Sequence, residues 1–332
     1  MILTSNCPRK GLGRGMGPRP QGPNPLIFIL VLLATLIIND ARAAENVSFR
    51  PFETTRLKAT GGTGVASILM DEASLLNPAS VAFFNVSSLY LQKSGGEFKT
   101  ESDVPHSQVG QASLGDKVNS MAVIASDGNQ RISGSVSFVQ QKEEQARRRQ
   151  IGMATASSVG DHTSLGFAYL WQKDEIPGRP KTSRWRFNVG VLHAVSENLT
   201  AGLVVFEPWR KHRTLNMANF IVGLQYVYQS TISLMVDVGS NFYKNLNDFL
   251  LIKGAFQLKV LKDLFLRVGA FEDHGQRERG NGIGIGWAGP KLVFELAVKN
   301  TQLLPPANGT GATSGSGKTT LHESSFSMAY HF

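Results

Sequence analysis

Arg184, Arg186, Lys253 and Arg267 are the side chains whose type and spacing could receive a ligand, because each alternates with apolar residues along its own run. Asp237 and Glu295 stand in the same phase of theirs. A cation in a water-poor interior can receive a carboxylate through a charge-assisted hydrogen bond. It can equally pair with a neighbouring charge and serve the structure alone. Two other constellations carry less. His162-Thr163-Ser164 has the residue types of a hydrolytic pair, but it falls at a tight turn and no acid or amide partner can be identified. Ala312 to Thr319 loosely matches a phosphate loop. That loop needs a strand before it and a helix after it, whereas here a Pro-rich stretch precedes and an alternating apolar run follows. Gly280, Gly282, Gly284 and Gly286 lack the dinucleotide-binding spacing; they alternate as strand residues do, and clear one face for a bend or a packed segment. No catalytic residue, cofactor or metal site is expected.

The elements that must position these residues are strands. From about residue 86 the apolar period is two, as in Leu264, Leu266, Val268 and Ala270, or Leu292, Phe294, Leu296 and Val298. The residues between are Gly, Ser, Asn, Gln or charged, so each strand is apolar on one side only. Tight turns at 196–198, 229–230, 261–263 and 288–290 alternate with longer polar connections near 174–182, 208–216, 242–247, 273–280 and 300–320. Runs of about 9–12 residues, aromatic residues at their ends and a chain finishing on a strand at Phe332 fit a transmembrane antiparallel β-barrel. Fifteen runs can be marked, among them 107–115, and within residues 94–130 the period is blurred where Met121 and Val123 share a face against Ala122 and Ile124. An even count places both chain ends on one side, so 14 strands are expected.

The 332-residue chain has a formal net charge of +9, of which +4 lies in residues 1–43. The +5 left on the remainder is too dilute for a phosphate-tracking surface, so nucleic acid is excluded as a partner. Leu26 to Ile38 is apolar, follows a basic stretch and precedes Ala41-Arg42-Ala43, the order of a secretory signal over 1–43. At 1.5 Å per residue this run covers about 20 Å, short of the roughly 30 Å hydrocarbon layer. Cys7, the sole cysteine, precedes it and leaves the rest without disulfide or thiol chemistry. Residues 44–85 read as a non-barrel segment, with short helical turns expected between Val65 and Leu76, ended by Asn77-Pro78.

Gly61-Gly62-Thr63-Gly64, then Asp71-Glu72-Ala73-Ser74, then Asn77-Pro78-Ala79 before a first strand, resemble the long-chain fatty-acid transporter (FadL) superfamily of outer-membrane barrels. The resemblance implies a 14-strand barrel over 86–332, with residues 44–85 as a small N-terminal hatch in its lumen. Gly61, Gly62, Gly64, Asp71, Asn77, Pro78 and Ala79 would be the hatch residues, and Phe332 with Tyr330 the signal to the barrel assembly machinery. It further implies a bacterial outer-membrane channel, in contact with membrane lipid, that passes small hydrophobic or amphiphilic, fatty-acid-like molecules. Arg184, Arg186, Lys253 and Arg267 are then the lumen residues available to an acidic head group. The wider superfamily also includes relatives that assist secretion, so a barrel that binds an envelope protein and transports nothing is the alternative.

Overall fold

The computed structural model describes residues 49–68, 71–84, 86–100, 117–128, 133–143, 146–209, 217–304 and 319–332. Within them 14 strands close into an antiparallel barrel, each paired with the next and β1 with β14. They are β1 (Ser87–Thr100), β2 (Lys117–Asp127), β3 (Ser133–Glu143), β4 (Ala146–Ser158), β5 (Thr163–Glu175), β6 (Thr182–Ala194) and β7 (Leu199–Phe206). The second half comprises β8 (Phe220–Tyr228), β9 (Ile232–Ser240), β10 (Leu251–Lys259), β11 (Leu264–Asp273), β12 (Glu278–Ala288), β13 (Leu292–Leu303) and β14 (Thr319–His331). The run at 107–115 lies outside the described residues; the other runs read from the sequence each become one strand. Closure leaves no strand edge to satisfy, which a wall in lipid requires.

The alternation resolves the two faces. Leu296 and Ile283 are 54% and 63% exposed on the outer wall, while Glu295 and Asp237 are 4% and 1% exposed inside. At these positions the charged side chain points inward and the apolar one outward, the reverse of a soluble protein. Tyr226, Tyr228, Trp287 and Tyr330 lie toward the short-turn end of the wall, and Trp171 and Trp185 toward the long-loop end. Aromatic residues at both rims of an apolar band are what a bilayer selects. At the seam the Ser87 and Phe332 backbones exchange hydrogen bonds of 3.0 and 3.3 Å.

One connection differs from expectation. The stretch near 273–280 is a four-residue turn at 274–277, because β11 and β12 stay paired out to Asp273 and Glu278. The Gln276 amide donates to the Asp273 carboxylate at 2.9 Å and closes the turn.

Inside the barrel the N-terminal segment carries helix α1 (Thr55–Ala59), capped by the Thr54 hydroxyl, which accepts from the Leu57 amide. It ends in a 3-10 turn at Pro78–Phe83. Of the helical turns expected between Val65 and Leu76, one is closed by the Leu76 amide donating to the Glu72 carbonyl at 2.8 Å, and the Ser67 amide closes a tighter turn on the Gly64 carbonyl at 3.0 Å. The Asp237 carboxylate takes the amide hydrogen bonds of Gly64 and Val65 there.

Candidate functional site

The segment lies against a wall from which side chains have been removed. A Cβ on Gly282 would stand 1.9 Å from the Lys58 carbonyl oxygen, and one on Gly269 2.1 Å from the Thr60 carbonyl carbon. Gly202 faces Val65 and Gly166 faces Ala79 in the same way, on the opposite side of the barrel. Gly284 meets the Ala59 methyl, whereas Gly280 and Gly286 make room for wall side chains, Phe271 and Arg267. Of the alternating glycines in β12, two thus accommodate the segment and two do not. Gly61 and Gly62 themselves have positive φ of 63° and 81°, which turns the chain sharply after α1 where a Cβ would be strained.

Hydrogen bonds fix the irregular backbone. Asp237 accepts from the amides of Gly64 and Val65 at 2.8 and 3.1 Å. The Asn77 side chain accepts from the Ala79 amide at 3.1 Å and donates to the carbonyls of Val65 and Val191 at 2.7 and 3.2 Å. Asn77 before Pro78 therefore joins two parts of the segment to β6. Ser88 donates to Asp71 at 2.8 Å, and Ser164, from the His162-Thr163-Ser164 run, donates to the Ala79 carbonyl at 2.8 Å.

Ion pairs complete the seat. Arg50 meets Glu278 at 2.9 Å, Glu53 meets Lys299 at 2.6 Å, Arg56 meets Glu295 at 3.1 Å, and Lys58 pairs with Glu323. Glu295 also holds Arg267 at 3.0 Å, and Lys253 donates to the Gly62 carbonyl at 3.1 Å. Such pairs add little net stability, because desolvation offsets the attraction, but removing one partner leaves a buried charge uncompensated.

Between this seat and the wall, at the long-loop end, lies a cavity of about 210 Å³. Its apolar lining includes Phe52, Leu170, Phe206, Ile221 and Leu251; its cations include Arg184, Arg186 and Lys253. Arg267 does not line it. Arg186 bonds Glu207 at 2.6 Å, and Asp174 is engaged by Arg148 at 2.8 and 3.0 Å. Arg184 stands beside both carboxylates yet has a buried Nε without a hydrogen-bond partner. Of the four cations singled out in the sequence, two are thus tied to the segment or to Glu295, one to Glu207, and Arg184 faces the cavity with donor capacity to spare. The cavity thus sets apolar side chains beside charges of both signs, with Glu53, Glu143, Asp273 and Glu278 among its carboxylates. The hatch-to-wall pairs were beyond sequence reasoning: their partners are more than 200 residues apart.

The Ralstonia pickettii toluene transporter TbuX superimposes on this barrel with a TM-score of 0.61 and 11% identity, over 85% of this chain and 99% of that one. The fold is that of the FadL-type barrels. A Pseudomonas aeruginosa FadL homologue gives 0.54 at 11% identity over 85% and 98% of the two chains, and the P. putida toluene transporter TodX 0.60 at 9% over 85% and 98%. At such identities the likeness extends to architecture alone. No family model matches the chain, and no curated protein matches it in sequence.

Proposed function

We propose that the protein is an outer-membrane channel for small hydrophobic or amphiphilic molecules, gated by residues 49–84 acting as a hatch. The observation that carries this reading is the cavity between hatch and wall. At about 210 Å³ it exceeds the roughly 150 Å³ apolar cavity that admits benzene. A monoaromatic or short-chain acid would fit, its body against Leu170, Ile221 and Leu251 and its acid at Arg184. A long acyl chain would need the hatch to move first.

That motion breaks two kinds of contact. Ion pairs and backbone hydrogen bonds are exchanged for water, and the apolar clusters that Leu57, Val65 and Leu76 form with Val204, Ile221 and Leu251, and Ala66 and Ala79 with Leu192, are opened. The FadL-type neighbours described as toluene transporters and as a monoaromatic hydrocarbon channel are in keeping with a substrate of this size.

A cross-link tests the gate. The hydroxyls of Thr55 in α1 and Ser325 in β14 lie 2.7 Å apart, so Thr55→Cys with Ser325→Cys should form a disulfide from hatch to wall. The oxidised protein in liposomes should lose uptake of toluene or benzoate and regain it on reduction. A wall-to-wall control, Ser126→Cys with Ser135→Cys, joins hydroxyls 3.0 Å apart and should leave uptake unchanged. Equal uptake by locked and reduced forms would overturn the gate. No uptake by either form or by the wild type would favour the alternative, a barrel that binds an envelope protein without transport.

A further inference from the structure

On the outer face of β3, β4 and β5, at their long-loop ends, Lys142, Arg147, Arg149 and Lys173 come together. The register sets Lys142 directly opposite Arg147, and Arg149 directly opposite Lys173. Like charges directly opposite on one sheet face repel, so an anion placed among them relieves a strain that the wall otherwise carries. Glu175, opposite Arg147, shares this face, and it lies 3.5 Å from Lys173 and 3.6 Å from Lys181. Among the described residues, one carboxylate beside these cations leaves the patch positive. The inner-face residue between them, Arg148, is by contrast matched by both oxygens of Asp174.

The height of the patch identifies the anion. Two residues nearer the short-turn end, Trp171 and Trp185 stand opposite each other on the same outer face, with ring centroids 6.3 Å apart, and Tyr169 stacks on Trp185 at 4.6 Å. Tyr and Trp settle where acyl chains give way to head groups. Two strand residues carry the cations about 6.6 Å further along the strand, into the layer of lipid phosphates. Arginine forks engage phosphate oxygens two at a time.

We propose that Lys142, Arg147, Arg149 and Lys173 form a binding site for phosphate-bearing anionic lipid in the leaflet on the long-loop side. The proposal rests on the membrane location stated above. Binding would anchor this wall at a fixed depth and remove the repulsion across β3, β4 and β5.

The nearby tryptophans report on it. Protein reconstituted in bilayers doped with dibrominated phosphatidylglycerol or dibrominated phosphatidylcholine gives the relative affinity for the two lipids from fluorescence quenching. The wild type should prefer the anionic lipid. Arg147→Gln with Arg149→Gln should lower that preference by roughly thirtyfold at most, toward unity, with heat-modifiable migration retained. Should that variant fail to fold, Lys142→Gln with Lys173→Gln provides the same reading. Equal quenching by both lipids in the wild type, or a preference unchanged in a folded variant, would overturn the site. Loss of the preference in 50 mM inorganic phosphate would assign the patch to free phosphate and overturn the lipid. Quenching by neither lipid would instead refute the membrane location.

Discussion

Gly282→Ala offers the sharpest test of how the hatch is seated. The added methyl would lie 1.9 Å from the Lys58 carbonyl oxygen, where ordinary contact begins near 3.4 Å, so α1 must retreat by about 1.5 Å. The bond from Arg56 to Glu295, now 3.1 Å, would be drawn well past hydrogen-bond length, and the neighbouring Lys58 to Glu323 pair would be strained with it. Overpacking together with one weakened charged bond amounts to roughly 2–4 kcal/mol against the seated state. That corresponds to a thirtyfold to several-hundredfold rise in the unseated population. The barrel itself should persist, since the outward residues of β12 are untouched. Single-channel recording in planar bilayers should show more frequent opening, while heat-modifiable migration stays as in the wild type. Gly254→Ala is the matched control, because a Cβ there meets nothing within 4 Å. Opening at the wild-type frequency in a folded Gly282→Ala barrel would refute the claim that these glycines exist to admit the hatch.

Arg184→Gln should lower uptake of benzoate in liposomes several-fold while leaving uptake of methyl benzoate unchanged; an equal effect on both would remove the counter-charge role. Arg267→Ala should instead disturb hatch seating through Glu295, which Arg267 shares with Arg56, read as increased proteolysis of residues 49–84 at constant barrel folding. Burial pushes the Glu72 carboxyl up to about 7, so between its ordinary value near 4.5 and pH 7 the seated state holds the extra proton. Seating should therefore weaken as pH rises through that window and be least favoured above it, which channel opening measured at pH 5 and pH 8 would show, and Glu72→Gln should flatten the difference. Removing Phe332 deletes both backbone bonds to Ser87 at the seam and should reduce the heat-modifiable fraction in membranes.

The wall was legible in the sequence because it solves a local problem: alternate residues face lipid, and Ile283, Ile285 and Trp287 announce this without reference to the rest of the chain. The pattern blurred around Met121 to Ile124 for a physical reason. There the inward side is apolar too, since Ile124 packs with Tyr90 and Val293 beneath Leu75 of the hatch. Gly282 and Gly284 stood out because they alternate, whereas Gly166, Gly202 and Gly269 stand alone in their strands and gave no signal. Helix α1 was invisible for a related reason. Its Arg56 and Lys58 look like solvent-facing charges until Glu295 and Glu323 supply their partners from the far end of the chain. Spacing along a sequence cannot reveal pairs that only barrel closure brings together.

Those pairs also set an order of events. The hatch is made before any strand of the wall, yet Arg56 and Lys58 find their counterions on β13 and β14, which are made last. Until those strands arrive the hatch lacks a complete seat, and once β14 has joined β1 there is no seam through which it could enter from the side. Docking of the hatch and zipping of the final seam are therefore one step, late in assembly and slowed by the long chain separation that must first be closed. The first residues of the folded protein would act as the form around which the last ones are wrapped.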